Sequence, residues 1–271
     1  MKIAFVGGGN MATALIGGLV KCGLAPDSIS VVEVAPQVCD RLAADFGVRT
    51  AARPGADLAA SDVVLLAVKP QQLQSAVANV TALLSKQLVI SIAAGIRTAA
   101  LTQWLQGYTR IVRAMPNMPA LIGAGISALY ATPTVSAPQR QAADDILRAV
   151  GSTLWVERED LMDAVTAVSG SGPAYVFYFL EALEQAAQEL GIEAAAARQL
   201  SLQTFLGAAQ LASNSGEDPA TLRVRVTSPG GTTERALKTM DAEALKQRFI
   251  ESVKQAAARS RELGDELGGG Q

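Results

Sequence analysis

Gly7-Gly8-Gly9-Asn10-Met11-Ala12 fits G-x-G-x-x-A directly after the apolar run Lys2–Val6. Glycines at this spacing permit a tight turn at Gly7 and a close backbone approach to a pyrophosphate at Gly9. Ala12 then lets helix and strand pack closely. A helix starting there turns free N–H groups and a partial positive charge toward an anion. The spacing therefore predicts dinucleotide binding. Glu33 ends the next apolar run, Ser30–Glu33. A carboxylate at that point accepts hydrogen bonds from adenosine ribose hydroxyls and repels a 2′-phosphate. The plainer reading is a solvated strand-end carboxylate. The nearest cation, Arg41, falls on the following helix, so the choice between NADPH and NADH stays open. Ala67-Val68-Lys69-Pro70 closes a third run. Ligands of open α/β sheets bind at the carboxyl ends of strands. Lys69 is thus a candidate for a cofactor phosphate or ribose, against a surface lysine ahead of a helix-starting proline. Ser91-Ile92-Ala93-Ala94-Gly95 follows a fourth run, and its small side chains either leave room for a flat nicotinamide ring or simply pack.

What is missing narrows the chemistry further. The chain has 271 residues and no histidine. That excludes Ser-His-Asp and Cys-His catalysis and every histidine-containing metal site, and no metal site is expected. The two cysteines, Cys22 and Cys39, form no framework and read as reduced, buried thiols in a reducing compartment. A formal net charge of −2 argues against a nucleic-acid partner, which needs a basic face. The Met1–Val6 stretch is interrupted by glycines before it could serve as a signal peptide, and no other apolar run approaches a membrane span. A cytoplasmic protein with no membrane association is expected.

Elements that could position these residues follow from periodicity. Strands are predicted at Lys2–Val6, Ser30–Glu33, Asp62–Val68, Leu88–Ala93, Arg110–Ala114, Ala124–Tyr130 and Thr153–Val156, with helices over Met11–Cys22 and Pro36–Phe46. Unbroken runs such as Val63–Leu66 suit a parallel sheet covered on both faces. Strand-helix alternation implies a doubly wound, Rossmann-type α/β sheet. Past residue 160 no strand is evident. Pro173–Leu190, Ala194–Ala212, a segment from Asp218 and Ala242–Leu263 are predicted helices, and Gly268–Gln271 a frayed tail. We expect a dinucleotide-binding domain over 1–160 and an all-helical domain over 161–271. The first long helix is apolar on several faces around Tyr175–Leu183, as a buried subunit interface requires.

Several segments together resemble the pyrroline-5-carboxylate reductase family, in order and spacing, along essentially the whole chain. They are Gly7–Ala12, Ala67–Pro70, Ser91–Gly95, Arg113-Ala114-Met115-Pro116-Asn117-Met118-Pro119, Ala164-Val165-Thr166 with Ser169 through Tyr175, and Val226-Thr227-Ser228-Pro229-Gly230-Gly231-Thr232-Thr233. The resemblance implies hydride transfer from NADPH or NADH to the ring imine of 1-pyrroline-5-carboxylate, giving L-proline. It implies a homodimer, often assembled as a pentamer of dimers (a decamer). The active site would lie between one subunit's nucleotide domain and its partner's helical domain. Carried over by position, Val6, Gly7, Gly8, Gly9, Asn10, Met11, Ala67, Val68, Lys69, Pro70, Ile92, Ala93 and Ala94 would contact the cofactor. Ser228, Gly231, Thr232 and Thr233 would hold the substrate, with Thr233 the catalytic group. Physically, Ser228–Gly231 precedes a helix whose first N–H groups form a concavity for a small carboxylate. A capping role is the alternative for Thr232 or Thr233.

Two departures and three rivals accompany the resemblance. Glu33 stands where NADP-preferring members often carry small polar or basic residues. Arg225 precedes the substrate loop, where it either reaches the cofactor or ends a helix as an exposed charge. A dehydrogenase of the hydroxyacid type would place a lysine on a second-domain helix, yet no lysine lies between Lys86 and Lys238. A reductase of another small cyclic imine remains an alternative. A non-enzymatic nucleotide-binding protein is the other, and it would bind cofactor without turnover.

Overall fold

The structure is a computed structural model that describes residues 1–269. Its strands are β1 (Ile3–Val6), β2 (Ile29–Val32), β3 (Arg49–Ala51), β4 (Val63–Leu66), β5 (Leu88–Ser91), β6 (Ile111–Met115), β7 (Gly125–Ala131) and β8 (Gly151–Trp155). They form one sheet in the order β3-β2-β1-β4-β5-β6-β7-β8. All neighbours run parallel except β6 and β7. That exception follows from chain length. A parallel return needs a crossover of about a dozen residues or more, and only a short link containing the 3₁₀ turn Met118–Ile122 joins β6 to β7.

Helices α1 (Asn10–Lys21), α2 (Pro36–Phe46), α3 (Ala56–Ala59), α4 (Pro70–Ala78), α5 (Thr98–Trp104), α6 (Ala137–Arg148) and α7 (Leu161–Val165) accompany the sheet. Each strand's unbroken apolar run is explained by two cores. On β1, Ile3 and Phe5 join Leu15, Leu42 and Ile146, whereas Ala4 and Val6 join Leu73, Val77 and Leu101. Successive side chains alternate faces, so a sheet covered on both sides needs apolar residues at every position.

The helical C-terminal region holds α8 (Gly172–Glu189), α9 (Ala194–Ser215), α10 (Pro219–Arg225), α11 (Thr232–Ala242) and α12 (Leu245–Gly268). A π-helical turn over Thr166–Gly170 leads into α8. Rings on α8 and α12 meet edge-on, Tyr175 and Phe179 lying 5.6 Å and 5.5 Å from Phe249. The compact units are Met1–Ser171 with residues 255–271, and Gly172–Lys254. They do not coincide with a division at 160, because the end of α12 returns to the first unit.

Other differences have local causes. Strand β3 was not expected: it is three residues long and exposed at both ends, with no apolar run to mark it. The final helix begins at Leu245 and not Ala242, because Ala244 adopts φ 52° and interrupts the chain. It also continues through Gly268, so no frayed tail begins there; Gly270 and Gln271 lie outside the described residues. Neither cysteine is buried. Cys22 is exposed at the end of α1 and Cys39 is half-buried.

Candidate active site

The strand order reverses around β1, which lies between β2 and β4, and such a reversal opens a crevice at the strands' carboxyl ends. A cavity of about 860 Å³ lies there. Val6, Gly7, Gly8 and Gly9 line it from β1, Glu33 from β2, and Ala67, Val68 and Lys69 from β4. Gly7 adopts φ 101° and its N–H donates to Val32 O at 2.8 Å. A Cβ there would lie 2.8 Å from Ala67 O, so only glycine closes this turn. Gly9 differs: a Cβ there would meet no atom within 4 Å. The protein's own packing does not require that glycine, and the space before it is open. Gly9 also caps α1 without any side-chain bond, and no acidic residue occupies the first turn. The first N–H groups of α1 are therefore left without a side-chain cap. This cradle fits a nicotinamide dinucleotide.

Glu33 is more constrained than a solvated carboxylate. Its Oε2 accepts the Gly8 N–H at 2.8 Å and its Oε1 accepts the Ala35 N–H at 2.9 Å. The carboxylate thus ties the glycine turn to the end of β2. Lys69 is exposed, just before α4. Asn10 and Met11 open α1 and Pro70 opens α4, beside the cavity but outside its lining. Ile92, Ala93 and Ala94 continue beyond β5 along the same carboxyl edge, where the Ile92 N–H donates to Leu66 O at 3.1 Å. They too lie outside the lining. Residues missed from sequence also face the cavity: Arg53 beyond β3, and Gln72, Ser75 and Asn79 at α4. The α4 residues had a signal, helical spacing from Lys69; Arg53 had none without β3.

In the second unit, the loop Thr227–Gly231 leads into α11. Ser228 O accepts the Gly231 N–H at 3.0 Å, and Gly230 takes φ 71°. The Gly230 N–H donates to Glu234 Oε2 at 2.8 Å, so the chain's own carboxylate already occupies one donor of the concavity. Lys238 pairs with Glu234 at 3.1 Å. The first N–H groups of α11, at Thr232 and Thr233, have no intrahelical acceptor. Gly231 is the N-cap and no side chain caps the helix, so neither threonine fills that role. Among the described residues neither hydroxyl has a hydrogen-bond partner. Thr233 is half-buried and Thr232 exposed. Arg225 pairs with Glu217 at 2.5 Å as an exposed helix-end charge.

Two of the other motifs meet in the first unit. Asn117 Nδ2 donates to Ser169 O at 3.1 Å, and its Oδ1 accepts the Ile126 N–H at 2.9 Å. Arg113, only 3% exposed, reaches Glu159 at 3.2 Å and lies 4.0 Å from Asp163. Glu159 also accepts from the Thr98 N–H and hydroxyl, at 2.7 and 2.6 Å. A buried guanidinium demands such partners, which accounts for the charged positions around these motifs.

Comparison with known proteins agrees with this geometry. The family model described as "Pyrroline-5-carboxylate reductase dimerisation" matches residues 159–263, and "NADP oxidoreductase coenzyme F420-dependent" matches residues 2–95. A pyrroline-5-carboxylate reductase of Pseudomonas aeruginosa is 44% identical over 98% of both chains. A solved pyrroline-5-carboxylate reductase from Coxiella burnetii superposes with a TM-score of 0.92 at 41% identity, over 97% of this chain and 98% of that one. A Plasmodium falciparum pyrroline carboxylate reductase, solved with NADP bound, gives 0.87 at 27% identity over the same shares. With the sheet, the glycine cradle and the α11 loop all in place, the chain belongs to the pyrroline-5-carboxylate reductase family.

Proposed function

We propose that the protein reduces 1-pyrroline-5-carboxylate to L-proline with NADPH or NADH. The observation that carries this reading is the relationship over 98% of the chain to a protein of that name. Bound in the glycine cradle, the reduced nicotinamide would supply a hydride to the carbon of the protonated imine, the C=N π pair becoming the lone pair of an amine nitrogen that keeps its proton. The chain's own part is binding and orientation. The cradle at Val6, Gly7, Gly8, Gly9, Asn10 and Met11, with Glu33, Ala67–Pro70 and Ile92–Ala94, holds the cofactor. Ser228, Gly231 and the α11 N-terminus receive the substrate carboxylate. The unpartnered Thr233 hydroxyl accepts from the protonated imine nitrogen and fixes the imine carbon, C2 of the ring, for attack. A protonated imine is already electrophilic, so proximity and orientation supply most of the acceleration.

Self-association belongs to the same proposal. Phe177 and Tyr178 on α8 are 57% and 70% exposed, and Leu206 on α9 is also exposed. Large apolar faces of this kind support pairing of two copies. Five such dimers form the proposed decamer, on the family resemblance alone. Among the described residues no helix is long and apolar enough to cross a membrane, and we place the protein in the cytoplasm.

A spectrophotometric assay with 1-pyrroline-5-carboxylate tests the reaction. Oxidation of NADPH or NADH is expected. Absence of turnover in a folded, cofactor-binding sample would overturn the substrate and lead to other cyclic imines. Light scattering tests assembly, and a monomer at micromolar concentration would refute it.

A further inference from the structure

We propose that Arg53 sets the cofactor preference: its guanidinium receives the adenosine 2′-phosphate and makes NADPH acceptable despite Glu33. The inference rests on the reading above only for the class of cofactor.

The argument begins with register. Val32 of β2 pairs with Ala51 of β3, and the Glu33 N–H donates to Ala51 O at 2.9 Å. The two strands therefore leave the sheet level with each other, and Arg53 emerges beside Glu33 and Val34. All three line the large cavity. Because β2 and β3 lie on the far side of β1 from β4, this is the adenosine end, where ribose hydroxyls or a 2′-phosphate are recognised.

Charge at that end is arranged for a phosphate. Both Glu33 oxygens already accept backbone N–H groups, of Gly8 and Ala35. Those donors offset its charge and hold it against the turn. Arg53 is exposed and, among the described residues, has no ion pair or hydrogen bond. Arg49, on β3 itself, contrasts with it: its guanidinium is taken by Asp57 at 2.8 Å and by the main-chain carbonyl Asp27 O at 2.8 Å. The Asp57 carboxylate thus serves Arg49 and leaves the Arg53 fork free. A planar guanidinium with a free fork suits bidentate phosphate binding. Arg41, the cation suggested by sequence proximity, does not line the cavity.

The test is equilibrium binding of NADPH and NADH, read by nicotinamide fluorescence, to the full-length protein and to Arg53→Ala and Arg53→Lys. The expected result is that Arg53→Ala weakens NADPH about tenfold or more, while NADH shifts less than about twofold. Arg53→Lys should fall between, since it keeps the charge and loses the fork. Added salt should weaken NADPH in the parent and much less in Arg53→Ala. Equal shifts for both cofactors, or no shift for NADPH, would overturn the proposal. Binding is read without the imine, so a wrong substrate assignment leaves the result interpretable. Arg53 is exposed and unpaired, so unfolding is not the expected cause of any loss.

Discussion

Thr233 shows most directly how a single side chain limits the chemistry. Its hydroxyl is half-buried, has no partner among the described residues, and follows a helix cap that needs no side chain. If it orients the imine nitrogen, Thr233→Ala should lower kcat/KM by about 10–100-fold while leaving NADPH binding unchanged. A loss of many more orders of magnitude in a folded variant would mean that Thr233 does more than orient. The glycine turn and the α11 loop were legible in sequence because each is contiguous, so spacing alone conveys the backbone geometry. Arg53 and the Glu234 bond to Gly230 were not. Each depends on which strand lies next to which, or on where one long side chain folds back, and neither leaves a periodic trace.

Among elements, β8 lies at one edge of the sheet and pairs with a strand on one side only. Asp144 on α6 compensates. It accepts from Thr153 Oγ1 at 2.7 Å, Trp155 Nε1 at 3.1 Å and Arg148 Nε at 2.5 Å, and Arg140 lies over the Trp155 ring. Burial opposes its ionisation, but these donors outweigh burial and hold the carboxyl below its usual 3.8. A folded-state value below the unfolded one means that the unfolded chain binds more protons in acid. The stabilisation is therefore complete above the unfolded value and lost as pH falls through the folded one. Asp144→Asn should cost about 1–2 kcal/mol at neutral pH, and the gap to the parent should narrow in acid. Urea melts at pH 7 and in acid check this; an unchanged gap would refute the role of charge. Most strands were legible because two covered faces demand unbroken apolar runs. The short edge strand β3 was not, since it has too few residues; β7 was read as a strand at Ala124–Tyr130, but its antiparallel direction was not, since the length of its connection sets it.

At the scale of the molecule, the sequence showed a change of character near residue 160 but not the return of the chain's end. That return is made at a few positions of α12. Ser260 donates to Asp163 at 2.7 Å, Asp265 pairs with Arg97 at 2.6 Å, and a Cβ on Gly264 would lie 2.9 Å from Gly95 O. The inward stripe there, Ala256, Ala257, Ser260, Leu263, Gly264 and Leu267, marks an amphipathic helix without saying which surface it covers. Gly95 directly follows Ile92–Ala94, so the last turns of α12 buttress the loop proposed to face the nicotinamide. A ribosome delivers all eight strands well before it delivers Gly264. Nascent chains stalled at Lys254 should therefore hold a sheet whose Ser91–Arg97 loop is still cut readily by protease, and chains released at full length should resist. The order of synthesis thus leaves the loop after β5 without its buttress until the last turns of α12 have emerged.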